Sequence, residues 1–152
     1  MSSTGIVRIK RQMMIYTVLQ VALTALLLLV SWKFQEVYAG KGALNAFFNS
    51  IFMTIGLQVL LLYPIFRFAG KEARNEIVAQ QTTNPDELKA LRSKRIFGDY
   101  LKTAIFIFYG TFMFMAPAFT FILSTAFFSF IATTLTYLKS YNFAAKKILA
   151  EK

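Results

Sequence analysis

Residues 97–138 read FGDYLKTAIFIFYGTFMFMAPAFTFILSTAFFSFIATTLTYL. After Lys102 this stretch carries no charged residue, and Pro117 stands near its middle. As a single helix it would overrun one bilayer crossing, because about 20 residues rising about 1.5 Å each already fill the hydrocarbon. Proline lacks a backbone donor and disfavours helical backbone in the residue before it, so Ala116-Pro117 is the natural break. The stretch therefore predicts two spans, 97–116 and 118–138, joined as a tight hairpin. One long kinked element lying partly in the interface is the alternative.

Two further apolar stretches precede it. Residues 13–31 contain ALTALLLLV and follow Arg8, Lys10 and Arg11. A signal peptide would have a shorter apolar region ending at small residues, whereas Trp32-Lys33-Phe34 follows here, so an uncleaved span is expected. Residues 43–66 open with ALNAFFNSIF and close with VLLLYPIF, which places Pro64 in the last turn of that span. The composition agrees. Of 152 residues, 57% are hydrophobic and 16% charged, with 17 Phe and a mean hydropathy of +0.53. Soluble domains carry about 25% charged residues. The sequence thus predicts an all-α integral membrane protein with four transmembrane helices in two hairpins.

The net charge of +10 sets the orientation. The arm before residue 13 has three basic residues and no acid. Residues 67–102 have eight basic residues against five acids, and the tail from Lys139 has four against one. The connection between the first two spans holds only Lys33, Glu36 and Lys41, and the turn at Pro117 holds no charge. Lys/Arg-rich segments favour the cytoplasmic side, so both termini and the 67–96 loop are expected there (N-in, C-in), in a bacterial inner membrane. The basic residues flank apolar stretches, which points to anionic lipids at the cytoplasmic face and away from nucleic acid. Within the loop, Asn84 suits a helix N-cap, Pro85 the first helical position and Glu87 the third. A short amphipathic helix there, bearing Leu88 and Leu91, could lie on the membrane or touch a partner. A charged connector is the simpler reading.

Polar residues inside spans are the candidate contact points. Asn45 and Asn49 are four apart and share one helix face. With Gln20 and Gln58, they are expected to seek partners across helices. Asp99 and Lys102, three apart at the start of the third span, permit an ion pair. Thr125, Ser129 and Thr133, with Ala126 and Ala132 nearby, form a small-residue face suited to close helix packing, and Phe119, Phe127, Phe128 and Phe130 wrap the remainder. That face predicts either a compact bundle or a surface that docks other membrane helices. No span has a charged group near its centre, which weighs against pumps and charge-coupled transporters.

With GKGALNAFFNSIF opening the second span and Phe97-Gly98-Asp99-Tyr100-Leu101-Lys102 opening the third, the chain resembles the ATP synthase I chain family. These are small four-span membrane proteins encoded beside the subunits of bacterial F-type ATP synthase. Gly42 and Asn49 carry the first match, and Asp99 and Lys102 the second. The resemblance implies a role in assembling the rotor ring of c subunits, with Asp99 and Lys102 as the functional polar pair and Asn49 beside them. The family is also proposed to supply Mg²⁺. Here the carboxylate is Asp99 where the family has Glu, and Ser50 follows Asn49 with no Pro before it. Mg²⁺ prefers near-octahedral oxygen coordination, and the spans offer too few carboxylates, so no metal and no cofactor is expected.

The chain has no His and no Cys. No nucleophile with a base and an orienting group can be assembled, so no enzyme is expected. The sequence predicts a non-catalytic accessory or assembly factor that packs against helices of a larger membrane complex, with the c-ring as a partner. A permanent small subunit of a respiratory, photosynthetic or secretion complex, and an oligomeric channel or cation transporter, are the alternatives.

Overall fold

A computed structural model describes residues 3–117 and 120–151, with side chains from residue 7 onward. The described chain is helical throughout: α1 (Ser3–Gly40), α2 (Leu44–Ala79), α3 (Pro85–Met115) and α4 (Phe121–Ala150). Three of the four, α1, α2 and α4, are long and apolar enough to cross a membrane. The chain has the build of a membrane protein. In α3 the uncharged stretch within the helix runs only from Thr103 to Met115. At about 1.5 Å per residue it reaches about 20 Å, short of a full crossing.

Each connection has a local cause. Between α1 and α2, Gly42 adopts φ +66°, a left-handed conformation costly for any residue with a Cβ. The Ala43 amide then reaches back to the Tyr38 carbonyl at 2.8 Å, and the Gly42 amide to that of Ala39 at 3.0 Å. Between α2 and α3 the Asn84 side chain accepts the Asp86 amide at 3.0 Å, so the expected cap forms. Glu87 accepts from the Thr82 hydroxyl. The α3–α4 break falls at Pro117, as its chemistry predicts. Phe119, and Ala118 at the expected start of the fourth span, lie outside the described residues.

The 67–96 segment is not an extended loop. Helix α2 continues through it to Ala79 and α3 begins at Pro85, leaving five residues, 80–84, as the connection. Two consequences follow. Pro64 lies in the interior of α2, where its missing N–H leaves the Leu60 carbonyl without its usual helical donor. The expected short amphipathic helix is the first part of the 31-residue α3.

Contacts fix an up-down arrangement. Phe34 meets Phe127 and Phe128, while Asn142 bonds to Met13 and Thr17, so α1 and α4 are antiparallel. Phe47 meets Phe128 and Phe66 meets Phe143, so α2 and α4 run parallel. Helix α3 runs against both, with Arg95 near Glu76 on α2 and Tyr109 near Thr133 on α4. The starts of α1 and α3 and the ends of α2 and α4 therefore lie at one end.

Helix α4 is the centre. In its most apolar stretch 39% of residues are buried, against none in those of α1 and α2. The outer faces of α1 and α2 instead present Leu28, Val21, Val59, Leu60 and Phe52 to the surroundings, the apolar coat that lipid requires. In α3 only Gly98 is buried.

Candidate functional site

The two carboxylates of KEARNE, Glu72 and Glu76, lie four apart and so share one face of α2. Tyr137 and Tyr141 in YLKSY repeat that spacing on α4. Because α2 and α4 run parallel, the two rows meet in register. Tyr137 donates to Glu72 Oε2 at 2.7 Å, and Tyr141 donates to Glu76. Helix α3 adds cations from the other side. Lys102 Nζ lies 2.5 Å from Glu72 Oε1, and Arg95 Nη2 lies 3.9 Å from Glu76 Oε1. The result is a two-rung ladder, tyrosine–glutamate–cation, spanning three helices. Tyr16 of α1 packs edge-on against Tyr141 with centroids 4.9 Å apart, which ties in the fourth.

Small residues make this approach possible. Ala69, Ala73 and Ala145 are fully buried around the ladder, together with Ile9, Ile77 and Tyr141. Gly98 faces Glu72, where a Cβ would sit 3.6 Å from Oε1 and 3.6 Å from the Phe68 ring. Glu72 and Glu76 keep only 10% and 13% of their side-chain surface exposed. Such groups are tolerable only because charges and hydroxyls satisfy them.

The expected Asp99–Lys102 pair forms, at 2.9 Å. Asp99 is largely exposed, and Lys102 reaches inward to Glu72 as well and lies 5.8 Å from the Tyr137 ring centre. Its ammonium thus bridges the two nearest carboxylates, the position a bound cation would need. Among the described residues no group of three acids, His or Cys gathers to hold a metal.

Two expectations are corrected. Asn45 and Asn49 do not bind across helices: both are exposed, with no hydrogen-bond partner among the described residues. The inward stripe of α2 at this level is Phe47, Ser50 and Thr54, which leaves the Asn face outside. Gln58 does cross, donating to Thr136 Oγ1 at 3.3 Å. Gln20 Nε2 is buried without a hydrogen-bond partner among the described residues. Thr125 and Ser129 are buried within the chain, at 9% and 2% exposure, so they offer no surface to another protein. Thr125 donates to its own helix at Phe121 O, and half-buried Thr133 meets the Tyr109 hydroxyl at 3.4 Å. The small-residue face makes the compact bundle, the first of the two outcomes expected from it.

Below the ladder, the end of α2, the start of α3 and the start of α1 enclose a cleft of about 1210 Å³. Arg8, Lys71, Arg92 and Lys94 line it, with Leu88 and Leu91. No family model, curated protein or solved structure matches the chain.

Proposed function

We propose that the chain is a non-catalytic accessory or assembly factor of the bacterial inner membrane that docks on helices of a larger complex through α3. The observation that carries this reading is the contrast between α3 and its neighbours. Helix α4 is packed on several sides, whereas α3 buries only Gly98 and holds to the bundle through Lys102, Tyr109 and a few rings. Its exposed aromatic residues include Phe97, Tyr100, Phe108, Phe112 and Phe114, spread around most of the helix, and Asp99 is exposed as well. An aromatic surface with one polar handle suits a partner helix as well as lipid.

In this reading α3 completes a fourth crossing with the uncharged turn at Ala116-Pro117, aided by local thinning of the bilayer. Both chain ends, the 80–84 connection and the polar ladder then face the cytoplasm. The resemblance to the ATP synthase I chain family makes the c-subunit ring the first partner to test. The site of contact moves from the α4 face to Asp99 and its aromatic neighbours.

Photo-crosslinking in native membranes tests this, with probes at Tyr100, Phe108 and Phe112 on α3 and at Ser129 on α4. Recurrent links from α3 to c-subunit helices, and none from Ser129, are expected. Links to one unrelated complex would overturn the rotor-ring assignment and favour a permanent subunit elsewhere. Links from α3 to lipid alone would sink the docking role.

A further inference from the structure

The cleft at the end of the bundle has a charge imbalance with a defined shape. Its acids are already matched: Glu72 by Lys102 and Tyr137, Glu76 by Tyr141 and Arg95, and Asp99 by Lys102. Four of its cations are not. Arg8 from α1, Lys71 from α2, and Arg92 and Lys94 from α3 have no ion-pair partner among the described residues. Three separate helices thus contribute unpaired positive charge to the lining of one cleft. Like charges gathered around one cleft repel, and a bound anion lowers that cost.

The surroundings narrow the anion. The cleft lies where the apolar parts of the helices give way to charged segments, and its lining includes Leu88, Leu91 and the exposed ring of Phe97. A ligand with a phosphate and apolar chains would meet both features. We propose that the cleft binds the phosphate ester of an anionic phospholipid headgroup, with Arg8, Lys71, Arg92 and Lys94 supplying the positive charge around it. The acyl chains lie along Phe97 and the apolar surface above it. Basic pockets between membrane helices recognise such headgroups by the same chemistry. The site is independent of which complex the chain joins, and its test needs only the purified protein.

Native mass spectrometry of the detergent-solubilised protein provides that test. The probes are dioleoylphosphatidylglycerol, dioleoylphosphatidylcholine and glycerol 1-phosphate. Phosphatidylglycerol should be retained in preference to phosphatidylcholine. The variant R8Q/K71Q/R92Q/K94Q should weaken retention about tenfold or more, since each surface cation adds appreciably to anionic-lipid affinity. The control K10Q/K89Q/K146Q/K147Q removes the same charge outside the cleft and should change retention less than about twofold. Circular dichroism should show both variants folded. Equal losses in the two variants, or equal retention of phosphatidylcholine, would overturn the proposal. Glycerol 1-phosphate held as firmly as the lipid would overturn the lipid assignment and leave a soluble phosphate ester as the ligand.

Discussion

The two ends of the bundle are held by different physics. At the α1–α2 turn, buried Tyr38, Phe47 and Phe128 pack with Phe34 and Phe127, ring against ring, with centroids 5.6–6.2 Å apart. One polar event is embedded there: the Tyr38 hydroxyl donates to the Thr120 carbonyl at 2.7 Å and pairs with Ser124 Oγ at 3.3 Å. At the other end, alanines and Gly98 let the backbones close in, and the contacts are carboxylates, phenols and an ammonium. Rings fill volume and tolerate small shifts. A buried carboxylate tolerates little, because each lost partner leaves charge without solvation. The ring end therefore supplies packing, and the ladder end supplies register among α2, α3 and α4.

The largest effect should come from removing the charge that the ladder shares. Glu72→Ala leaves the Tyr137 hydroxyl without its carboxylate acceptor and the Lys102 ammonium with only the largely exposed Asp99. Breaking a buried pair costs about 3–5 kcal/mol, and the partial exposure of Lys102 lowers the expected loss to about 2–3 kcal/mol. Unfolding in mixed micelles, followed by circular dichroism, measures it. A loss under about 1 kcal/mol would mean that the ladder end is no more demanding than the ring end. Next comes Gly98→Leu. A single Cβ at Gly98 fits at ordinary contact distance, so Gly98→Ala should be nearly silent. The longer side chain must displace Glu72 or Phe68, and overpacking of this kind costs about 1–3 kcal/mol. Because α3 has few other contacts, crosslinking between α3 and α2 should fall before helicity does.

Much of this could be read from local chemistry. Pro117 ends a helix, Asn84 caps one and Asp99 pairs three residues on with Lys102, all within a few positions of chain. The ladder was less accessible. Glu72 and Tyr137 are 65 residues apart, and each spacing of four looks ordinary until α2 and α4 are known to run parallel. The polarity of the 67–96 segment likewise hides that Glu72, Ala73 and Ile77 form one buried stripe. Inside the spans the difficulty is different. Lipid and core are both apolar, so the contrast that identifies the inner face of a soluble helix is missing. That is why Asn45 and Asn49 could be placed on one face but not aimed, and why the Thr125 and Ser129 face left a compact bundle and a docking surface both open.

A smaller effect should come from the ring end. Tyr38→Phe keeps the ring and removes only the hydroxyl that joins α1 to the start of α4. A net loss of about 1 kcal/mol is expected, the ordinary worth of one hydrogen bond with its carbonyl partner left near the turn. Tyr137→Phe removes an equivalent hydroxyl from the ladder, where Glu72 retains Lys102. The two losses should be similar if hydroxyls alone matter. A clearly larger loss for Tyr137→Phe would show that the carboxylate makes its hydrogen bonds worth more, as charge-assisted bonds generally are.

The smallest stability effect is expected at Asn45 and Asn49, and it separates packing from use. Both side chains point away from the bundle, so Asn45→Leu/Asn49→Leu removes no internal contact and should change stability by less than about 0.5 kcal/mol in micelles. A loss comparable to that of Tyr38→Phe would place these amides inside the fold after all. Crosslinking in native membranes carries the second half of the comparison. An amide kept on the outer face of a span is costly against hydrocarbon and useful against another helix. If the double variant is fully stable yet loses a neighbour that the unmodified chain crosslinks near Phe48, that face of α2 is a second contact surface, on the opposite end of the molecule from the ladder.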